Sequence, residues 1–284
     1  MNEILLYNLM IILAIGIIGT GISINFYFET KRKLFKYCIP GWIIFSLGYL
    51  SPIISIFFNN IIVDQILFLF YGIFASIGVY IIAIGTISYF IEVSLKIALI
   101  PCYFFICTSI ILYLIFGIHS ALNLSLIYFG VALTSVYIVP LLKWEESKKI
   151  IGKSIRLYFI SLAVLTMYFP IAFLIFSEGD SFGLFYSDNP VLIMLNYLCI
   201  ICGAILVIIY FIHLEFSITN KERFDLKDKY SHNLGNILQT IYLSTGLLKI
   251  KGDMDNSETL GLSKIIEKKV NEAEKFLEEI REIK

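Results

Sequence analysis

Seven stretches of predominantly apolar residues follow one another along the first 213 residues of the chain. Each has about the 20 residues that an α-helix needs to cross a bilayer core of about 30 Å. Such a sequence predicts a bundle of transmembrane helices, because a helix satisfies its own backbone hydrogen bonds in lipid. The stretches lie at about 4–28, 38–58, 65–90, 97–117, 121–142, 155–177 and 190–213.

The composition excludes two broad classes of protein. Apolar residues make up 58% of the 284 residues and charged residues only 15%, and the mean hydropathy is +0.85. A soluble domain has about 25% charged residues, so an ordinary soluble enzyme is excluded. The net charge is zero, whereas proteins that bind nucleic acid carry basic patches, so no nucleic-acid partner is expected.

Charge is concentrated in the last quarter of the chain. Residues 214–284 hold 12 of the 22 basic and 13 of the 22 acidic side chains. This change in composition predicts a seven-helix transmembrane domain at 1–213, a juxtamembrane helix at 214–230 and a helical hairpin at 231–284. The predicted fold class is all-α: a polytopic membrane protein with a water-soluble helical tail.

Basic residues lie on one side of the predicted bundle. Lys and Arg follow the first, third and fifth apolar stretches, whereas residues 1–3, 59–64, 118–120 and 178–189 contain none. Cytoplasmic loops carry an excess of Lys and Arg. The sequence therefore predicts a multi-pass protein of the plasma membrane, with its N-terminus outside and its tail in the cytoplasm.

The centres of the predicted spans contain no charged residue and no histidine. Intramembrane charges typically mark ion pathways and proton relays, so an ion pump is disfavoured. Cys199 and Cys202 form a C-x-x-C pair without a nearby His or acid, which favours packed small side chains over a metal or redox site. The aromatic interior suits a small neutral ligand, and it equally suits plain helix packing.

The tail has the apolar pattern of two helices that pack together. The residues around Gly252 predict a turn between them. Two helices cannot bury both apolar faces alone, so we expect a homodimer in which four helices form a bundle. The apolar faces comprise Tyr230, Leu234, Ile237, Leu238, Ile241 and Leu248 on the first helix and Leu262, Ile266, Val270, Ala273, Leu277 and Ile280 on the second.

His232 points away from this apolar face on the first predicted helix. Asp228, Asn236 and Gln239 are its neighbours at i−4, i+4 and i+7. An exposed histidine on a charged helix is by default a solvated surface residue. A neutral imidazole nitrogen is also a competent nucleophile, so the sequence around this histidine decides between the two interpretations.

The nine residues from Ser231 to Gln239 read Ser-His-Asn-Leu-Gly-Asn-Ile-Leu-Gln. They resemble the phosphoacceptor box of sensor histidine kinases, and are closest to the subgroup with His-x-x-x-Asn-x-Leu-Gln. His232, Asn236, Leu238 and Gln239 occupy the four defined positions of that pattern. As in that family, the box lies on the first arm of a hairpin that follows a membrane domain.

The resemblance implies a function in two-component signal transduction. The seven spans would be the sensor, and His232 would accept a phosphoryl group and pass it to an Asp of a response regulator. Asn236 and Gln239 are expected to hold the phosphoryl group or a water, and Asp228 to orient the imidazole.

Two features depart from the family pattern. Many histidine kinases have an acidic general base directly after the histidine, where this chain has Asn233. The residues up to Lys284 contain neither an ATP-binding domain nor a G-x-x-x-x-G-K-[ST] motif. We therefore expect no cofactor or metal in these residues, and ATP with Mg²⁺ in a kinase domain that acts in trans or was lost by truncation.

Two other functions remain open from the sequence. The first is a seven-span transporter or channel with a dimerising tail, which the absence of midplane charge disfavours. The second is a receptor that docks a cytoplasmic partner on its coiled-coil tail without phosphotransfer.

Overall fold

The computed structural model describes most of the chain, and every regular element in the described part is a helix, which confirms the all-α class. The described residues are 2–58, 60–88, 90–91, 93–152, 155–167, 190–250 and 256–282. The helices are α1 (Asn2–Thr30), α2 (Lys33–Ser55), α3 (Ile61–Ile87), α4 (Leu95–Phe116), α5 (Ile118–Leu142), α6 (Trp144–Ile151), α7 (Ile155–Thr166), α8 (Pro190–Ile250) and α9 (Asn256–Glu282).

Six of these helices, α1 to α5 and α8, are long and apolar enough to cross a membrane. They coincide with six of the seven predicted stretches and indicate a membrane-embedded protein. The remaining stretch, 155–177, begins with the short apolar helix α7. Its last ten residues lie outside the described ranges, as do the turn around Gly252 and the connection 178–189. The count of seven spans and their orientation therefore stay predictions.

The chain divides into two compact units, Met1–Ser217 and Ile218–Lys284, which we call the membrane unit and the tail unit. The division lies close to the predicted boundary at residue 213. Helix α8 contributes residues to both units. It includes the charged stretch 221–229, as expected from a segment without Gly or Pro.

Capping residues explain why some helices begin earlier than their apolar stretches. The side chain of Asn60 accepts hydrogen bonds from the backbone N–H groups of Ile62 and Val63, so α3 starts at Ile61 rather than near residue 65. The hydroxyl of Ser94 accepts from the N–H of Ile97 at the start of α4. Such caps satisfy donors that the first turn of a helix leaves free.

Helices α2 and α3 pack closely because glycines lie where they meet. A Cβ atom placed on Gly48 of α2 would come within 2.6 Å of the backbone nitrogen of Ala75 in α3. A Cβ atom on Gly78 of α3 would come within 2.6 Å of the backbone nitrogen of Phe45 in α2. Small residues let membrane helices approach until their backbones are in van der Waals contact, which is the main attraction between helices in lipid.

In the tail unit, a single copy of the chain buries only part of the predicted apolar face of α8. Ile237 is only 4% exposed and Ser244, seven residues later, is also buried, whereas Leu238 is 57% exposed. Consecutive residues of a helix are 100° apart, so the packed side covers only one of these two apolar neighbours. A single copy of the chain therefore buries Ile237 and leaves Leu238 exposed, and the placement of both in the core of a dimeric bundle stays a prediction.

Helix α9 follows its predicted pattern more closely. Leu262, Ile266 and Ala273 are half-buried, while Val270 is exposed. Leu248, Leu277 and Ile280 complete the predicted faces; the structure describes their backbone but not their side chains.

Candidate functional site

The predicted phosphoacceptor, His232, lies within α8 and its side chain is exposed. The helix continues without interruption from the charged stretch 221–229 through the box at 231–239. Ile237, on another side of this part of α8, is buried. His232 is five residues earlier, or about 140° around the helix, so its imidazole points away from the buried side.

Asn236 is the polar side chain that contacts the histidine. Its amide nitrogen lies 3.3 Å from Nδ1 of His232. An amide can meet Nδ1 in two ways, since rotation by 180° exchanges its nitrogen and oxygen. In one arrangement Nδ2 donates to an unprotonated Nδ1, and in the other Oδ1 accepts from Nδ1–H. The second arrangement leaves the lone pair on Nε2 free.

The other two predicted site residues are exposed and lie near His232 only through the helical repeat. Neither Asp228 nor Gln239 makes a side-chain hydrogen bond with any residue that the structure describes. Their expected roles, orienting the imidazole and holding a phosphoryl group, stay predictions. The structure thus brings together His232 and Asn236, and leaves the remaining two side chains in solvent.

Two exposed leucines lie on the same side of α8 as His232, about three and four helical turns further along. Leu243 is 57% exposed, and its position eleven residues after His232 places it about 20° from the histidine around the helix. Leu247, one turn further on, is also exposed. Sequence reasoning that followed only the apolar face missed both residues, although their spacing of i+11 and i+15 from the histidine was the available signal.

An ion pair that sequence reasoning missed lies in the membrane unit. Nε of Arg32, the N-cap residue of α2, lies 2.9 Å from Oε1 of Glu215 in α8. The guanidinium side chain is 17% exposed and the carboxylate side chain only 4%. Glu215 is the first acidic residue after the last apolar stretch, which was the one sequence signal for its special position.

The described residues contain no cluster of three or more His, Cys, Asp or Glu suited to a metal ion. Comparison with protein-family models, with curated proteins and with solved structures finds no match to this chain. Its function is therefore inferred from the chain's own residues.

Proposed function

We propose that this chain is the membrane sensor and phosphoacceptor part of a two-component histidine kinase. The observation that supports this function best is the placement of His232. It lies on an uninterrupted helix, faces solvent opposite the buried Ile237, and contacts Asn236 of the same phosphoacceptor-like box. A protein domain that carries a nucleotide can reach such a histidine without opening the buried side of the helix.

In the proposed reaction, Nε2 of His232 attacks the γ-phosphorus of ATP, which a separate or following kinase domain holds with Mg²⁺. The bond to the β,γ-bridging oxygen breaks and ADP leaves. The carboxylate of a response-regulator Asp then takes the phosphoryl group from Nε2. No cofactor is assigned to the residues of this chain.

Asn236 has the main supporting role in this scheme. The amide nitrogen of Asn236 faces Nδ1 of His232. With the amide rotated by 180°, Oδ1 would accept from Nδ1–H and select the tautomer whose Nε2 lone pair can attack. Neither Asn233 nor Asn236 is a base, so neither takes the Nδ1 proton that becomes acidic on phosphorylation.

The exposed Leu243 and Leu247 give an incoming domain an apolar contact on the same side of α8 as the histidine, roughly 16 and 22 Å further along the helix. Apolar anchors next to a polar reactive group are typical of protein docking surfaces. The kinase domain and the regulator need to bind His232 in turn, so either could contact these leucines if it extends along this side of α8.

The tail unit is proposed to form a homodimer. Leu238 and Tyr242 are exposed one turn apart on α8, and α9 exposes Leu260, Ile265 and Val270. A second copy of the hairpin would cover these side chains and complete a four-helix bundle. Because ATP is cytoplasmic, the same proposal places the tail in the cytoplasm, with seven spans in the plasma membrane and the N-terminus outside.

The experiment that tests this function uses the full chain in lipid nanodiscs. The donor is the ATP-binding domain of a related kinase with labelled ATP, or a phosphorylated regulator, and the readout is acid-labile label on the chain. The sequence contains three histidines, so His119→Gln and His213→Gln are matched controls. Label should disappear only in His232→Gln; label that persists there would assign the phosphoacceptor elsewhere.

The other functions make different predictions. A receptor that only docks a partner on the exposed leucines keeps that partner in His232→Gln and loses it in Leu243→Asp. A transporter keeps its solute flux in vesicles after residues 220–284 are deleted.

A further inference from the structure

The membrane unit contains a cavity of about 130 Å³. Five helices contribute to its wall: α2, α3, α5, α7 and α8. The wall side chains that the structure describes are mostly aromatic or aliphatic, and none of them carries a formal charge. The volume is enough for about ten atoms other than hydrogen, because one water-sized group needs about 10–15 Å³.

The serine and threonine hydroxyl groups in the wall already use their protons. The hydroxyl of Ser76 donates to the backbone oxygen of Ser125 at 3.1 Å, and that of Ser125 donates to the backbone oxygen of Ala121 at 3.0 Å. Ser161 and Thr86 likewise donate to carbonyls of the preceding helical turn. These four hydroxyl groups therefore have no proton left to donate to a ligand.

Three tyrosines of the wall also engage their hydroxyl groups within the protein. Tyr49 and Tyr71 hydrogen-bond to each other, with ring centroids 5.2 Å apart. The hydroxyl of Tyr158 donates to the backbone oxygen of Val136. Pro140, four residues later in α5, has no N–H with which to bond that oxygen, so the tyrosine replaces a missing helical hydrogen bond. These tyrosines therefore contribute aromatic surface to the wall rather than groups that would bond a ligand.

Trp42 contributes only its ring to the cavity. Its side chain lines the cavity, but Nε1 is buried against Gly19 of α1, and no described residue of α1 belongs to the wall. A Cβ atom on Gly19 would come within 3.1 Å of Nε1. A molecule in this cavity is therefore held by packing. A void leaves the atoms around it without dispersion contacts, and an apolar molecule of matching shape provides them.

We propose that this cavity binds a compact, uncharged and apolar molecule of about one ring, such as a benzene-sized aromatic hydrocarbon, without a hydrogen bond to the wall. An engineered protein cavity of about 150 Å³, lined by Leu, Ile and Phe, stays dry and binds benzene. A charged or hydroxyl-bearing ligand would lose its polar partners on entering such a wall. A lipid acyl chain extends over half of a bilayer core of about 30 Å, so only one end of it would fit. Binding at this site does not depend on phosphotransfer at His232.

The two tryptophans of the chain make the site directly observable. Trp144 lies in α6 and is not part of the cavity wall. In Trp144→Phe, Trp42 becomes the sole tryptophan, and a bromine atom in the cavity quenches its emission at short range. The probes are bromobenzene and para-bromophenol, which share the ring and the bromine and differ by one hydroxyl group. Both are titrated against the full chain in nanodiscs, with concentrations expressed per lipid to correct for partitioning.

Bromobenzene should quench Trp42 saturably, with half-saturation at about tenfold lower concentration than para-bromophenol, because the added hydroxyl group would be buried without a partner. Unbrominated benzene should relieve this quenching by competition. In the reciprocal variant Trp42→Phe, quenching of Trp144 should rise only in proportion to probe concentration. Quenching of Trp42 that never saturates, or that is equal for the two probes, would overturn the proposal.

A cavity-filling variant gives an independent test. Ala204 lies in the wall contributed by α8, so Ala204→Leu in the Trp144→Phe background should abolish the saturable quenching. Ala163→Leu is the matched control: Ala163 is an exposed residue of α7 outside the wall, so the quenching should persist. Saturable quenching that survived Ala204→Leu would place the ligand outside the cavity. If that variant does not fold, the comparison of the two probes in Trp144→Phe decides the question.

Nanodiscs made from phospholipids with brominated acyl chains distinguish a free ligand from a lipid chain. In these nanodiscs, benzene should leave the emission of Trp42 unchanged. A saturable rise in emission on adding benzene would show that a lipid chain occupies the cavity, and would overturn the proposal. Quenching by bromobenzene should persist in His232→Gln, which separates this proposal from the phosphoacceptor assignment.

Discussion

Nε of Arg32 donates a hydrogen bond to Oε1 of Glu215 at 2.9 Å, and these two residues are separated by 183 positions in the sequence. The contact connects the start of α2 with α8, close to the end of the membrane unit. Replacing a buried ion pair by apolar residues is often neutral, but removing one partner leaves the other charge in a poorly hydrated place. The pair is therefore best examined by changing one residue at a time.

Glu215→Gln should lower the free energy of unfolding of the membrane unit by up to about 3–5 kcal/mol, because Arg32 loses the carboxylate to which it donates. Glu29→Gln is the matched control, since Glu29 is an exposed acid bonded to Asn25. The control should change the free energy by about 0.5 kcal/mol or less. The effect of each substitution is measured by unfolding the protein in mixed micelles of increasing SDS content, with circular dichroism as the readout. Equal effects of the two substitutions would contradict the importance of the pair.

Gly78→Ala should destabilise the membrane unit by about 1–3 kcal/mol, because its Cβ would meet the backbone of α2. Gly21→Ala is the control: Gly21 lies within α1 and has no atom within 4 Å of an added Cβ. There, the better helix propensity of alanine should leave stability unchanged or raise it by up to about 1 kcal/mol. The same unfolding experiment applies, and a Gly78→Ala protein as stable as the parent would show that the helices can separate at little cost.

Ile237→Ala should open the tail unit, since truncating a buried isoleucine costs about 2–5 kcal/mol. The rate of tryptic cleavage within the tail should rise at least about tenfold, because cleavage follows the open population. Leu238→Ala, at an exposed position, should change the rate of tryptic cleavage little. A larger effect at Leu238 would show that Leu238 rather than Ile237 packs within the tail unit.

Leu238→Asp should weaken the proposed dimer, because it places a charge where the second copy would pack. Gln239→Asp introduces the same charge at the neighbouring position on the polar side of α8, and should leave the dimer intact. The mass of the full chain in detergent, measured by sedimentation, distinguishes dimer from monomer. A parent protein that is monomeric at high concentration would rule out the bundle.

Asn236→Ala should slow phosphorylation of His232 about tenfold, the cost of one hydrogen bond of about 1.4 kcal/mol at Nδ1. Asn236→Asp keeps an oxygen acceptor at that position and adds a base, so its rate should equal or exceed that of the parent. Initial rates of acid-labile labelling with a common donor measure the effect. If Asp slowed the reaction as much as Ala, the Asn236 amide would not act by accepting from Nδ1–H.

Local features of the sequence predicted the helices and the surroundings of His232. Length and hydropathy determine where a membrane helix lies, and the i+4 spacing alone placed Asn236 beside the histidine. The pattern could not tell which of the adjacent residues Ile237 and Leu238 is buried in a single copy of the chain, since both satisfy it. The ion pair between Arg32 and Glu215 could not be predicted, because no local feature of the sequence indicates a partner 183 positions away.

The cavity was equally out of reach. It depends on how five helices leave space between them, and on the indole of Trp42 lying against Gly19. The sequence indicated only that an aromatic interior was available.

The glycine contacts between α2 and α3 have a mechanical consequence. Because their backbones touch at Gly48 and Gly78, these two helices cannot slide past each other without steric clash, and they act as one stiff block. The wall formed by α7 and α8 includes a contact of another kind, Tyr158 against Tyr210, with ring centroids 5.1 Å apart. Two aromatic rings in contact can change their relative position while the main chains of α7 and α8 stay apart. We therefore expect that a molecule entering the cavity leaves the α2–α3 block in place and displaces α7 and α8 along this aromatic contact.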